Sequence, residues 1–182
     1  MFLISDYLKK LTLVTRDNGF ELLEYKPTLL HPLLVPFEKL SFARKTRLRL
    51  ELIRGGYIVY YLAVDGAFVG YNVIAPGGRR LKLSTPKDIV VGPLFISPEH
   101  RGKGYSVLLM KLPLMHCSYE YERAFDWIAK SNIPSIKASL SCGFKECGRL
   151  NVNGVFRRLV EDEDGDEIIF CYTKESEKDA VQ

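Results

Sequence analysis

Cysteine is sparse and unpatterned in this chain. The four present, Cys117, Cys142, Cys147 and Cys171, form no CxxC pair, which argues against both a disulfide scaffold and a structural zinc site and makes reduced thiols the expectation. Histidine is scarcer still. His31, His100 and His116 share no ligand-like spacing, so no metal centre is expected. Long apolar runs are missing too: Tyr57 to Val64 falls well short of the roughly 18–20 residues that cross a bilayer. The opening MFLISDYLKKLTLV has no basic start followed by an unbroken apolar stretch and a small-residue cleavage site, and a cytoplasmic protein without membrane partners is expected. Neither sign of charge dominates. The 26 Lys and Arg against 22 Asp and Glu leave a net +4, which excludes a strong nucleic-acid footprint and leaves an anionic small ligand open.

What is present is ordinary globular material. Of the 182 residues, 47% are hydrophobic and 26% charged, which excludes global disorder and fibrous repeats and suits a single domain over 1–182. Ser5 to Thr15 reads as a short helix or docked lead-in, and Phe20 to Tyr25 as a strand. Prolines make 27–36 an irregular connection, after which Phe37 to Arg54 reads as a basic helix stopped by Gly55 and Gly56. Asp65 and Gly66 between YIVYYLAV and AFVGYNVIA announce a hairpin, because a type I′ turn needs positive φ at both central residues. Arg79 to Lys87 is a basic loop. Asp88 to Ile96 is a strand that Gly92 and Pro93 should bulge, bend or hold at an edge.

A glycine-rich turn follows, then a helix over Tyr105 to His116 that Pro113 should kink or end. Arg123 to Ala129 reads as a strand, Asn132 to Pro134 as a helix start, and Ser135 to Cys142 as a helix closed by Gly143. Strands are expected over 144–152, 155–161 and 167–173, the last two joined by the acidic turn at 162–165. That turn does not fit a calcium loop, since Val160 and Cys171 fall where acids are required. Residues beyond Lys174 should fray.

The turn from Arg101 to Gly104, RGKG, fits neither a Walker A loop nor a Rossmann fingerprint, since neither spacing is completed. Its glycines would let backbone N–H groups approach a ligand. The helix starting near Tyr105 adds unpaired donors and a positive dipole end, with Arg101 and Lys103 supplying charge. Such a turn is either a pyrophosphate cradle or only a tight connection.

Residues 94–106, LFISPEHRGKGYS, resemble the acetyl-coenzyme A signature of the GNAT family of N-acetyltransferases, R/Q-x-x-G-x-G/A after a strand ending in x-Val-x-Pro. Residues 132–144 resemble the family's later motif: Asn132 after a strand, then Ser135, Ala138 and a closing Gly143 and Phe144. Both lie in the family's order, within a core of about 57–160. The resemblance implies an α/β (α+β) fold with a central mixed, mostly antiparallel sheet of about seven strands flanked by helices and splayed between the family's fourth and fifth strands. It implies acetyl-CoA as co-substrate, no metal, and transfer of the acetyl group to a primary amine by direct attack.

The same resemblance assigns residues. Backbone amides of Arg101, Gly102, Lys103, Gly104, Tyr105 and Ser106 would hold the pyrophosphate. The strand edge at Leu94, Phe95 and Ile96 would pair with the pantetheine, with an amide near Ile96 stabilising negative charge. Asn132 would bond the pantetheine and Ser135 would lie beside it. Two departures stand out: Ser106 replaces a preferred Gly or Ala, and Ser139 occupies the place of a Tyr that often serves as general acid. Ser139 is thus a candidate acid acting through water, or only a small helix residue. Asp126, a charge inside an apolar strand, is a candidate base, or else sits at an exposed strand end or pairs with a nearby Arg or Lys. Asp88 is a similar candidate at a greater distance. The acceptor expected is a small-molecule amine, an amino sugar or nucleotide-linked sugar, drawn by the basic segment at Arg79, Arg80 and Lys82. The resemblance also allows a homodimer. The rival readings are a non-catalytic CoA-binding sensor or interaction module on the same fold, and an unrelated phosphate-binding domain.

Overall fold

A computed structural model describes residues 10–17, 19–34, 41–78, 81–153 and 158–174. Two compact units are distinguished: the described residues up to Ala75 together with Val91–Cys117, and Pro76–Val90 together with the described residues from Ser118 onward.

The first unit begins with two strands, β1 (Thr12–Asp17) and β2 (Phe20–Tyr25), paired antiparallel. The helix or lead-in expected over 5–15 is therefore corrected at its C-terminal end, where the β-branched Thr12, Val14 and Thr15 lie in a strand paired with β2; residues 5–9 lie outside the described set. Gly19, at φ 83°, supplies the left-handed residue between these strands. Helix α1 spans Phe42–Arg54. It ends where the amide of Gly56, at φ 77°, bonds back to Glu51 O at 3.1 Å.

Strands β3 (Ile58–Val64) and β4 (Ala67–Pro76) form the expected hairpin, with Asp65 at φ 48° and Gly66 at φ 78°. Both positive angles are what a type I′ turn demands. Strand order runs β1-β2-β3-β4-β5, where β5 is Asp88–Ile96 and its Val91–Ile96 portion lies in this unit. Alternation sends Leu23, Tyr25, Val59, Tyr61, Tyr71 and Val73 to one face, against Leu48 and Leu52 of α1. The other face, with Leu22, Tyr60, Leu62 and Asn72 all buried, is covered by helix α2 (Tyr105–His116), which reaches it through Leu109.

Pro113 does not end α2, which continues to His116. A proline has no N–H for the carbonyl four residues back. Here that carbonyl, Leu109 O, accepts from Asn72 Nδ2 at 3.0 Å.

The second unit holds β6 (Arg123–Ala129), α3 (Ile133–Ser141), β7 (Lys145–Asn153), β8 (Arg158–Glu161) and β9 (Glu167–Thr173), in strand order β5-β6-β9-β7-β8. All these pairs are antiparallel except β5 with β6, which is parallel and covers Asp88–Val90 only. Leu81, Val90, Phe125, Leu150 and Ile169 form its core, with Trp127 and Leu159 packed against them. The described residues thus hold nine strands and three helices in a mixed, mostly antiparallel arrangement, against about seven strands expected. The expected frayed tail at 175–182 lies outside the described residues.

Asp88 anchors the start of β5. Its carboxylate, buried completely, accepts from Arg123 Nε at 3.0 Å and Nη2 at 2.8 Å, from Thr85 N at 2.6 Å and from Thr85 Oγ1 at 2.9 Å. Ser84 Oγ bonds Gly77 O and Leu81 O, at 2.8 and 2.9 Å. Burial works to raise the Asp88 pKa, but the Arg123 hydrogen bonds and then those of Thr85 outweigh it and hold the group below its ordinary value. Asp88 is therefore a structural anchor, and its candidacy as a base falls.

Candidate functional site

In the first unit, the chain leaves β5 at Ser97, whose amide bonds Val69 O at 2.9 Å, and turns through a single 3-10 turn over Pro98–His100. Proline at the first position suits this turn, because its missing N–H would find no partner there. The Arg101 amide closes the turn onto Pro98 O at 3.3 Å. Its guanidinium folds back as well, with Nε donating to Ile96 O at 3.1 Å and the charge lying 5.9 Å from the Phe95 ring centre.

The amides that follow are different. Among the described residues, none of the N–H groups of Gly102, Lys103, Gly104, Tyr105 and Ser106 donates to a backbone carbonyl, and the bonding of α2 begins with Val107 N to Gly104 O at 3.1 Å. Gly104 caps α2 without a side-chain bond. Gly102 and Gly104 stand at φ 75° and 79°, a left-handed backbone that strains any other residue. A Cβ built at either would meet nothing within 4 Å. Positive φ alternating with ordinary backbone turns successive N–H groups toward a common point, and a helix N-terminus adds its dipole. The open donors therefore run from Gly102 to Ser106, with the Arg101 amide already engaged. This arrangement fits an anion, and the space before the glycines accommodates one.

The strand feeding the cradle holds Phe95 against the core, stacked on Tyr71 at 5.8 Å between ring centres, while Ile96 is buried. Among the described residues, Val91–Ile96 has a strand neighbour on its β4 side only. Leu94–Ile96 therefore runs without a strand partner on that other side, where an extended ligand would lie alongside it. His100 lies 6.3 Å from the Tyr105 ring in this turn.

In the second unit, α3 starts at Asn132, whose Oδ1 accepts from Ser135 N at 3.4 Å. Asn132 is thus the helix cap, and that bond leaves its Nδ2 donors for another use. On α3, Ala138 and Ser139 are buried, and Ser139 meets β6. On β6, Phe125 and Trp127 point into the second core, so Asp126 between them points the opposite way. Ser139 Oγ donates to Asp126 Oδ2 at 3.3 Å. The two candidate catalytic residues are therefore brought together.

Their environments differ. Asp126 is only partly buried, yet its surroundings exclude enough water to raise its pKa to about 7, with smaller lowering from the Ser139 hydroxyl and the Trp127 amide and some raising by Glu167. Ser139 has no accessible surface at all. The enclosed hydroxyl holds the Asp126 carboxylate in place through this bond.

All four cysteines are free. Burial pushes the Cys147 thiol up to about 11, which makes it a poor thiolate source at neutral pH. No cluster of three or more metal-ligating side chains occurs among the described residues. Of the basic acceptor segment, Lys82 is exposed, while Arg79 and Arg80 lie outside the described residues.

The family profile described as Acetyltransferase (GNAT) family matches residues 24–144. The chain belongs to this family. Membership makes it an acetyltransferase, with acetyl-CoA as its co-substrate. Among solved structures, it resembles RimL, the ribosomal L7/L12 alpha-N-protein acetyltransferase, with 12% identity over 90% of this chain and 95% of that one and a TM-score of 0.62. It also resembles the microcin C7 self-immunity acetyltransferase MccE in complex with acetyl-CoA and AMP, at 14% identity over 91% and 99% of the two chains, TM-score 0.58. A third is yncA, a putative acetyltransferase from Salmonella typhimurium with acetyl-CoA, at 17% identity over 88% and 97%, TM-score 0.55. No curated protein sequence matches the chain. At these identities the structures establish the fold.

Sequence reasoning did not single out Asn72, Arg123 or Thr85. For Asn72 a signal existed: a proline inside a helix leaves a carbonyl in need of a donor, and a lone Asn in an apolar strand is a candidate to supply it.

Proposed function

We propose that this GNAT protein acetylates the primary amine of a small molecule, with Asp126 as general base. The observation that carries the reading is the Asp126 carboxylate, placed by Ser139 and raised to about 7, where it both accepts and releases a proton near neutrality.

The residues of the chain divide the work. The amides from Gly102 to Ser106 bind the pyrophosphate of acetyl-CoA, with Lys103 adding positive charge. In the first unit the strand edge at Leu94, Phe95 and Ile96 is the candidate to bond pantetheine amides, and in the second unit Asn132 Nδ2 is a candidate donor to the same kind of arm, with Ser135 three residues on. When bound, acetyl-CoA supplies a thioester whose acyl carbon is open to an amine. The amine nitrogen would bond the acyl carbon as the carbon–sulfur bond breaks, with Asp126 taking the proton the amine loses and returning it to the departing coenzyme A thiolate. A backbone amide near Ile96 is the candidate for stabilising negative charge on the acyl oxygen. Holding two reactants together accounts for much of the remaining acceleration. The general acid role expected of Ser139 passes to the pair, because the enclosed hydroxyl acts through Asp126.

The acceptor is an amine carried on an anionic scaffold, such as an amino sugar or a nucleotide-linked sugar. The net charge of +4 and the basic run containing Arg79, Arg80, Lys82 and Lys87 support this reading. The test is free-thiol release from acetyl-CoA with a panel of amines. Turnover with amino sugars or their nucleotide conjugates is expected; turnover only with peptide N-termini would overturn the acceptor class. Coenzyme A binding with no turnover for any amine would favour a sensor without catalysis.

A further inference from the structure

Asn72 is an expensive residue where it stands. It sits on β4 with no accessible surface, between Tyr71 and Val73 of the apolar core and facing α2. Its Nδ2 donates to Leu109 O at 3.0 Å, while its Oδ1 has no hydrogen-bond partner. The opposite orientation of the amide would set two oxygens against each other, so the assignment is fixed by chemistry. A buried amide oxygen left without a partner carries the full cost of its lost hydration. A leucine of similar size would avoid that cost, so stability alone does not account for the asparagine.

Its bond explains it. Pro113 lies four residues after Leu109 inside α2, so the helix supplies no N–H from that position to Leu109 O. A buried helix carbonyl without that bond would draw the helix toward water. Leu109 is one turn from Tyr105, so displacing it displaces the first turn and with it the open amides of Gly102 to Ser106.

We infer that Asn72 is a positioning residue for the anion cradle, replacing the N–H that Pro113 lacks and so fixing the first turn of α2 on β4. The inference rests on the reading that Gly102 to Ser106 hold the phosphates of coenzyme A. It predicts a dependence that packing alone does not: Asn72 matters only while residue 113 is proline.

The experiment compares wild type, Asn72→Leu, Pro113→Ala and the double variant. Coenzyme A affinity is measured by titration calorimetry, and amide hydrogen exchange is followed over 105–109. Asn72→Leu is expected to bind coenzyme A about tenfold more weakly and to exchange faster in this turn, a tenfold loss corresponding to about 1.4 kcal/mol. Pro113→Ala should match wild type. The double variant should recover to within about twofold of Pro113→Ala, because the backbone N–H restored by that substitution now serves Leu109 O. Wild-type affinity and exchange in Asn72→Leu would overturn the inference, as would a loss that persists in full in the double variant. Should Asn72→Leu alone fail to fold, a folded double variant with near wild-type binding supports the inference and an unfolded one overturns it. Should wild type itself ignore coenzyme A, the cradle reading falls, and the exchange rates of the four proteins alone decide whether Asn72 holds the turn.

Discussion

At the scale of single residues, Asp126 is where environment becomes chemistry. A carboxylate with a pKa of about 7 is half ionised at neutrality, so the rate should climb with pH through that value and level off above it. Asp126→Asn is expected to remove this rising limb and to lower turnover about 100-fold. A pH–rate profile of the two proteins checks both, and an unchanged limb in the variant would move the base elsewhere. Ser139→Ala should act differently. The Ser139 hydroxyl lowers the Asp126 pKa, so removing it should shift the limb to higher pH, with turnover on the alkaline plateau reduced only a few-fold and coenzyme A affinity unchanged. Sequence marked both residues, Asp126 as a charge inside an apolar strand and Ser139 by its place after Asn132. It did not show that they touch, because residues 13 positions apart on a strand and a helix meet only once the packing of α3 on β6 is known.

At the scale of elements, the short parallel junction of β5 with β6 is held by Asp88 and Arg123, paired in register and joined by two hydrogen bonds. Arg123 also lies over the Phe125 ring at 5.1 Å. Arg123→Met would leave a buried carboxylate with only the Thr85 donors, a loss of about 2–4 kcal/mol. Denaturant unfolding at pH 7 measures it, and a change below about 0.5 kcal/mol would show that the pair contributes little. The pH sign follows from the depressed Asp88 pKa. Its contribution is present above the unfolded value of about 3.8 and is lost as pH falls through the folded one. The stabilities of Arg123→Met and wild type should therefore converge in acid. Asp65 and Gly66, Gly55 and Gly56, and Asn132 with Pro134 marked boundaries that the sequence made legible, since turn and cap residues are required by local backbone geometry. Strand β1 was not legible as a strand: its pairing with β2 depends on the turn at Gly19, and the apolar residues of 5–15 allow more than one period. The locking of residues 81–88 was equally hidden, since Ser84, Thr85 and Asp88 are ordinary loop residues until Arg123 arrives from 35 positions away.

At the scale of the whole molecule, a ligand that binds only the native state raises the unfolding free energy by about 2.7 kcal/mol at 100 times its dissociation constant. Acetyl-CoA and coenzyme A should therefore raise the melting temperature, while ATP and NAD, which lack the pantetheine that the Leu94–Ile96 edge would pair with, should do so far less. Gly104→Glu isolates the phosphate contribution. Its backbone sits at φ 79°, so the substitution itself lowers the baseline by about 1–2 kcal/mol through left-handed strain. The quantity to compare is then the ligand-induced increment and not the melting temperature. With a carboxylate set among amides that are open to an anion, the coenzyme A increment should vanish in Gly104→Glu. An increment equal to that of wild type would remove Gly102 to Ser106 as the phosphate site, and with it the geometric basis for coenzyme A binding at this turn.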